Sequence, residues 1–228
     1  MITIIAAMQE EIDLYLSQME KETEIKHAGI VFYKGKLCGR EVSVAACGIG
    51  KVNAAMCAQL VIDRFSPEAL IHSGVAGGLA PDVSPLDIVV AESLVEHDMD
   101  ATYFGDPLGQ VPRMELFDFP CDTKLVEYAK ESAQDAGARY RTGLIASGDQ
   151  FVANHEKADF LFQHFKACAC EMEGAAIAHV CCLNQLPFIV IRAISDNART
   201  GACMQYEQFL SRAAELSAHT VLGILKRI

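Results

Sequence analysis

Short runs rich in Ile, Val and Ala alternate with helix-patterned segments along almost the whole chain. An apolar run of roughly four to eight residues, bounded by polar or Gly-rich segments, suits a buried strand. Strands that alternate with helices build a layered α/β fold rather than a bundle or a sandwich. The pattern predicts strands at residues 3–8, 69–73, 87–96, 140–147, 167–170 and 187–194. It predicts helices at 10–19, 51–65, 123–136, 154–165, 173–184 and 205–226, with Asn154 as an N-cap. Residues 23–34 and 36–47 read as an antiparallel pair turning at Gly35, and residues 98–120 as irregular. No linker, repeat or low-complexity tract divides the chain. The expectation is one α/β domain over residues 1–228, with a mixed, mostly parallel central sheet flanked by helices.

The net charge is −11. Such a surface repels phosphate backbones and anionic lipid, so neither nucleic acid nor a membrane surface is an expected partner. No apolar run approaches the roughly 18 residues of a membrane span, and the N-terminus lacks a basic n-region. The expectation is a soluble, cytoplasmic protein. The nine cysteines are an odd number and form no C-x-x-C pair. Cys47, Cys57, Cys168, Cys170, Cys181 and Cys182 lie in apolar patterns and are expected to be reduced core thiols. The seven histidines form no H-x-x-x-H pair; no metal is expected, and each His is read as packing or surface.

Acids recur where strands end. Glu10 and Glu11 follow the first strand, Glu171 and Glu173 flank Met172 at a strand-to-helix junction, and Asp196 follows the apolar run 189–194. In open α/β sheets ligands sit outside the carboxyl ends of the strands. Three such acids can share a cleft and do acid/base work on a small polar substrate. Each also has a structural reading. Glu10 and Glu11 suit a helix N-terminus, worth roughly 0.3–1 kcal/mol. Of Glu171 and Glu173, one can face a ligand while the other caps or pairs. The segment from Gly74 to Gly78 is either a tight turn or a close backbone approach to a ligand. Arg192, inside an apolar strand, must pair with a carboxylate or contact a ligand. The first loop lacks G-x-G-x-x-G, and Gly48-Ile49-Gly50-Lys51 lacks the P-loop spacing.

Seven segments occur in one order: residues 4–11, 48–52, 74–81, 87–90, 147–151, 171–176 and 192–196. Together they resemble the 5′-methylthioadenosine/S-adenosylhomocysteine nucleosidases of the nucleoside phosphorylase superfamily. The resemblance implies a nucleoside phosphorylase-like fold, a homodimer, no cofactor, and hydrolysis of the N-glycosidic bond of adenosine-type nucleosides carrying a 5′-thioether. It implies Asp196 as general acid to adenine N7, Glu11 as the holder of the attacking water, and Glu173 on the ribose hydroxyls. Phe151 would stack on adenine, and the Val152 backbone would bond the base edge. Met8, Ile49, Met172 and Tyr206 would line the ribose and 5′ side, with Gly77 in the Gly-rich segment against the ligand. Phe104 and Pro112 of a neighbouring subunit would close the 5′ pocket, and Ser195 and Arg192 would support the acids and the water. Val75 stands where many relatives carry Ser or Thr, and Tyr206 where Phe is common, which points to a shifted ranking of substrates. The alternatives are an aminofutalosine or futalosine hydrolase, a phosphate-dependent purine nucleoside phosphorylase, and a non-catalytic nucleoside-binding module.

Overall fold

The computed structural model describes residues 1–198 and 202–228. In chain order the elements are β1 (Ile2–Ala6), α1 (Gln9–Gln18), β2 (Glu20–His27), β3 (Ile30–Leu37), β4 (Arg40–Ala46), α2 (Lys51–Phe65), β5 (Ala69–Gly78) and β6 (Ile88–Glu96). A 3₁₀ turn at Thr102–Phe104 and β7 (Phe119–Pro120) follow. Then come α3 (Thr123–Asp135), β8 (Tyr140–Ser147), α4 (His155–Phe165), β9 (Ala169–Glu171), α5 (Gly174–Leu183), β10 (Phe188–Asn197) and α6 (Ala202–Leu225).

The strands form one sheet in the order β10-β6-β8-β9-β5-β1-β4-β3-β2, with β7 on β6. Because β10 also pairs with β5, the strands β5, β10, β6, β8 and β9 close into a ring. The sheet is mixed. Among the described residues, the parallel pairings β1–β4, β1–β5, β5–β10, β6–β8 and β8–β9 are matched by as many antiparallel ones. The β2–β3–β4 meander, the short β9 against β5, and the two antiparallel partners of β6 remove the expected parallel majority.

The central strands are apolar throughout because helices or other strands cover both faces. Ile4, Ile5, Leu70, Ile71, Ile189 and Ile191 are fully buried; each such side chain contributes about 1.5–3 kcal/mol. The outer strand β2 is the reverse, with charged residues along an exposed edge that deter pairing with another chain. Helix starts follow local chemistry. Asn154 Oδ1 accepts from Glu156 N at 2.8 Å, and Asp122 Oδ1 from Leu125 N at 2.9 Å.

Two expectations fail for reasons of register. Gly35 is not a turn but lies inside β3, where a Cβ would collide with the Glu20 carbonyl of β2. The chain instead turns at Ala28-Gly29 and Cys38-Gly39, all four with positive φ, as two-residue hairpin turns require. The segment Gly74 to Gly78 is likewise no tight turn: it continues β5, paired with β10 on one side and β9 at its end. Of the six cysteines read as core, five are buried and Cys182 is partly exposed. Among the described residues, no helix is long and apolar enough to cross a membrane.

Candidate active site

Glu11 lies in the first turn of α1, directly after β1. Its carboxylate folds back on the junction. Oε2 accepts from Ala7 N and Met8 N, each at 2.9 Å, and Oε1 accepts from Val75 N of β5 at 2.9 Å. Burial pushes its pKa up, and Arg192 with the three N–H donors only partly offsets this. Gly74 makes the arrangement possible, since a Cβ there would run into both the Glu11 carboxylate and the Arg192 guanidinium.

Glu171 and Glu173 divide their tasks. Glu171, the last residue of β9, accepts from Glu173 N at 3.1 Å, from Gly174 N at 2.8 Å, and from Ser147 Oγ. It also pairs with Arg192. Burial would raise its pKa, but the Arg192 guanidinium, with the Ser147 hydroxyl, outweighs that and holds it low. Glu173 is the N-cap of α5, and its Oε1 accepts from Gly50 N at 2.9 Å. Burial and the Glu171 charge push its pKa up.

Asp196 sits inside β10, beyond a register shift between Ile194 and Asp196 that leaves Ser195 as the extra residue. Ser195 Oγ donates to Asp196 Oδ1 at 2.7 Å. Burial pushes the Asp196 carboxyl up to about 6 against that hydrogen bond.

Glu11, Glu173 and Asp196 share one cavity of about 300 Å³. Met8, Ile49, Phe151, Val152, Met172 and Tyr206 supply its walls, and Gly77 and Ser195 also face it. Phe151 is half exposed and meets Tyr206 edge-to-face, with centroids 5.7 Å apart. The Tyr206 hydroxyl donates to Met8 Sδ at 3.6 Å. The lining therefore combines apolar and aromatic side chains with carboxylic acids. Among the described lining residues there is no Lys or Arg.

Three residues given roles by the resemblance do not line this cavity, nor does the exposed Glu10. Arg192 is buried behind it, with its guanidinium engaged by Glu171, by Glu173 Oε2 at 3.6 Å and by His72. Phe104 is 83% exposed and Pro112 is also exposed, both in the stretch between β6 and β7, away from the cavity of their own chain. Conversely, His72 belongs to the acid cluster, although the sequence predicts only a packing or surface role for it. The one signal was a titratable ring inside the apolar run of β5. Gly50 and Ser147 also serve the acids, through a backbone N–H and a hydroxyl; both lie in segments that carry the resemblance, but the resemblance gives neither a role.

His72, Glu171 and Glu173 offer ligand atoms within 4.8 Å of one another, a spacing that suits a metal ion. Arg192 Nη2 contacts all three, so a side-chain cation already balances this donor set. The cavity can protonate a leaving group through Asp196, hold a water or hydroxyl at Glu11 and Glu173, and stabilise positive charge between its carboxylates.

The phosphorylase superfamily matches residues 1–226. The chain is 44% identical to the 5′-methylthioadenosine/S-adenosylhomocysteine nucleosidase of Geobacillus thermodenitrificans, over 97% of this chain and 94% of that one. It is 37% identical to the aminodeoxyfutalosine nucleosidase of Campylobacter jejuni, over 100% of this chain and 99% of that one. Among solved structures, the 5′-methylthioadenosine/S-adenosylhomocysteine nucleosidase from Neisseria meningitidis in complex with methylthio-immucillin-A superposes with a TM-score of 0.96, at 38% identity, covering 100% of this chain and 99% of that one.

Proposed function

This chain belongs to the phosphorylase superfamily and, within it, to the 5′-methylthioadenosine/S-adenosylhomocysteine nucleosidases, and on that premise we propose that it hydrolyses the C1′–N9 bond of adenosine-type nucleosides bearing a 5′-thioether, releasing adenine and the 5-substituted ribose. The observation that carries the reading is the meeting of Glu11, Glu173 and Asp196, from three separate parts of the chain, in one apolar-walled cavity.

The chemistry follows from the charges. As C1′–N9 breaks, its electron pair moves into the adenine ring and positive charge grows on the ribose. Asp196, kept partly protonated near neutral pH by burial, gives its proton to N7. Glu173 binds the ribose hydroxyls, and Glu11 holds the water that attacks C1′ and takes its proton. Phe151 stacks on the base, and the Val152 backbone bonds its edge. Met8, Ile49, Met172 and Tyr206 enclose the ribose and the 5′ group, with Gly77 against the ligand. Ser195 supports Asp196 directly, and Arg192 supports the acids and the water. No cofactor enters the scheme.

A second copy of the chain closes the 5′ end in this reading, through its Phe104 and Pro112. The exposure of the neighbouring rings of Tyr103 (91%) and Phe104 (83%) supports a homodimer, because a second copy would cover them. The cysteine content suits a cytoplasmic location, where thiols stay reduced.

Phosphorolysis would require an anion site, and the described lining supplies acids instead. The similarity to the aminodeoxyfutalosine nucleosidase favours one second reading, a carboxylated aryl group at the 5′ position. Adenine release from methylthioadenosine, S-adenosylhomocysteine, 5′-deoxyadenosine and aminofutalosine, with and without phosphate, tests the proposal. Phosphate-independent release from the thioethers supports it. Strict phosphate dependence, or binding without turnover, overturns it.

A further inference from the structure

His72 lies in the middle of β5, opposite Val190 of β10, and its side chain is wholly buried. A buried imidazole needs a partner on each nitrogen. Nδ1 stands 2.9 Å from the Ile5 carbonyl oxygen of β1, which only accepts, so Nδ1 carries the proton. Nε2 meets Arg192 Nη2, which only donates, so Nε2 presents its lone pair. The two partners together select one neutral tautomer.

The charged groups around the ring come from three elements: Arg192 of β10, Glu171 of β9, whose Oε2 is 3.8 Å from Nε2, and Glu173 at the start of α5, which is reached through Arg192. Burial and the guanidinium both disfavour the imidazolium. Arg192 therefore remains the cation at the centre of the cluster. Its Nε is buried and has no hydrogen-bond partner among the described residues, so the rotation of the guanidinium is set from its Nη groups.

We propose that His72 is a positioning residue for the hydrolysis: as a hydrogen-bond acceptor it fixes the rotation of Arg192, which in turn holds Glu171 beneath the cavity and keeps Glu173 in place. This rests on the hydrolase reading above. The group that acts is the bare Nε2 lone pair. A side chain that restores an acceptor at that position should work, and one that merely fills the space should not.

The test compares His72→Leu, His72→Asn and His72→Gln in the full-length enzyme. Gln carries an amide oxygen near the Nε2 position. Asn keeps a donor for Ile5 but withdraws the acceptor from Arg192. The Leu and Asn variants are expected to lose about 10–100-fold in kcat with KM within about threefold, as displaced catalytic groups do, and to shift the pH–rate profile. The Gln variant is expected to stay within about fivefold of wild type. Equal losses in Gln and Asn, or no loss in either, overturn the proposal even where the Leu variant does not fold. A separate reading needs no turnover. In ¹⁵N spectra of the wild-type protein from about pH 5.5 to 8, Nδ1 should be protonated and Nε2 bare throughout. An imidazolium or an Nε2–H tautomer overturns the assignment. Failure of the wild type to release adenine would instead overturn the hydrolase reading, and the catalytic part of this proposal with it.

Discussion

Ser195 donates its hydroxyl to the carboxylate of the next residue, Asp196, at 2.7 Å, and both side chains line the same cavity. In a regular strand, consecutive side chains face opposite ways. The bulge in β10 removes that constraint, so the acid and its supporting hydroxyl point into one site.

Asp196→Asn is expected to cut kcat by at least about 10²–10⁴-fold, the usual loss for a general acid. Methylthioadenosine binding should persist, as calorimetry would show. In the wild type, kcat/KM should decline as pH rises through about 6, because the protonated carboxyl is lost there. Wild-type-like turnover in the Asn variant would remove Asp196 from the role.

The same carboxyl has a stability signature. Its pKa rises from 3.8 to about 6 on folding, so the folded state holds the proton more tightly than the unfolded one. Stability is then greatest below the unfolded value and falls as pH rises through about 6. Asp196→Asn should therefore raise stability at pH 7.5 by about 1–3 kcal/mol, or roughly 2–12 °C in Tm. Near pH 4 the gain should shrink toward zero. Calorimetric melts at the two pH values check this.

Glu11→Gln should retain tight nucleoside binding and lose hydrolysis by about 10²–10⁴-fold, because the amide cannot take a proton from water. Single-turnover adenine release measures it directly. Retained chemistry would mean that the water is activated elsewhere.

Gly74→Ala and Gly35→Ala separate site from scaffold. Each adds a Cβ that must displace its neighbours, at a cost of about 1–3 kcal/mol. At Gly74 the neighbours are Glu11 and Arg192, so activity should fall with stability. At Gly35 the neighbour is the β2 backbone, so kcat/KM of the folded protein should be unchanged.

Tyr206→Phe removes the hydroxyl that meets Met8 in the cavity wall. The ratio of kcat/KM for methylthioadenosine over S-adenosylhomocysteine should rise by about 2–10-fold, the value of one hydrogen bond to a polar substituent. Competition assays with both nucleosides read that ratio; an unchanged ratio would take the hydroxyl out of specificity.

Much of this protein was legible in one dimension. The apolar pattern predicts residues 51–65 and 140–147 with the bounds they have, and Asn154 caps α4 as expected. Periodicity and capping depend on neighbours within a few positions, so a sequence displays them. The acids at strand ends were visible for a similar reason, since strand ends collect on one edge of a sheet.

The tertiary structure decided what depends on distant partners. By sequence Gly35 suits a turn and the segment Gly74 to Gly78 a tight turn, but β2 crosses the first and β10 pairs with the second. Which of Glu171 and Glu173 would hold its charge could not be read from two identical side chains. Arg192, brought in on another strand, settles it in favour of Glu171. His72 joined the cluster for the same reason. Strand register and the field of buried charges are non-local quantities, and only the folded chain assigns them.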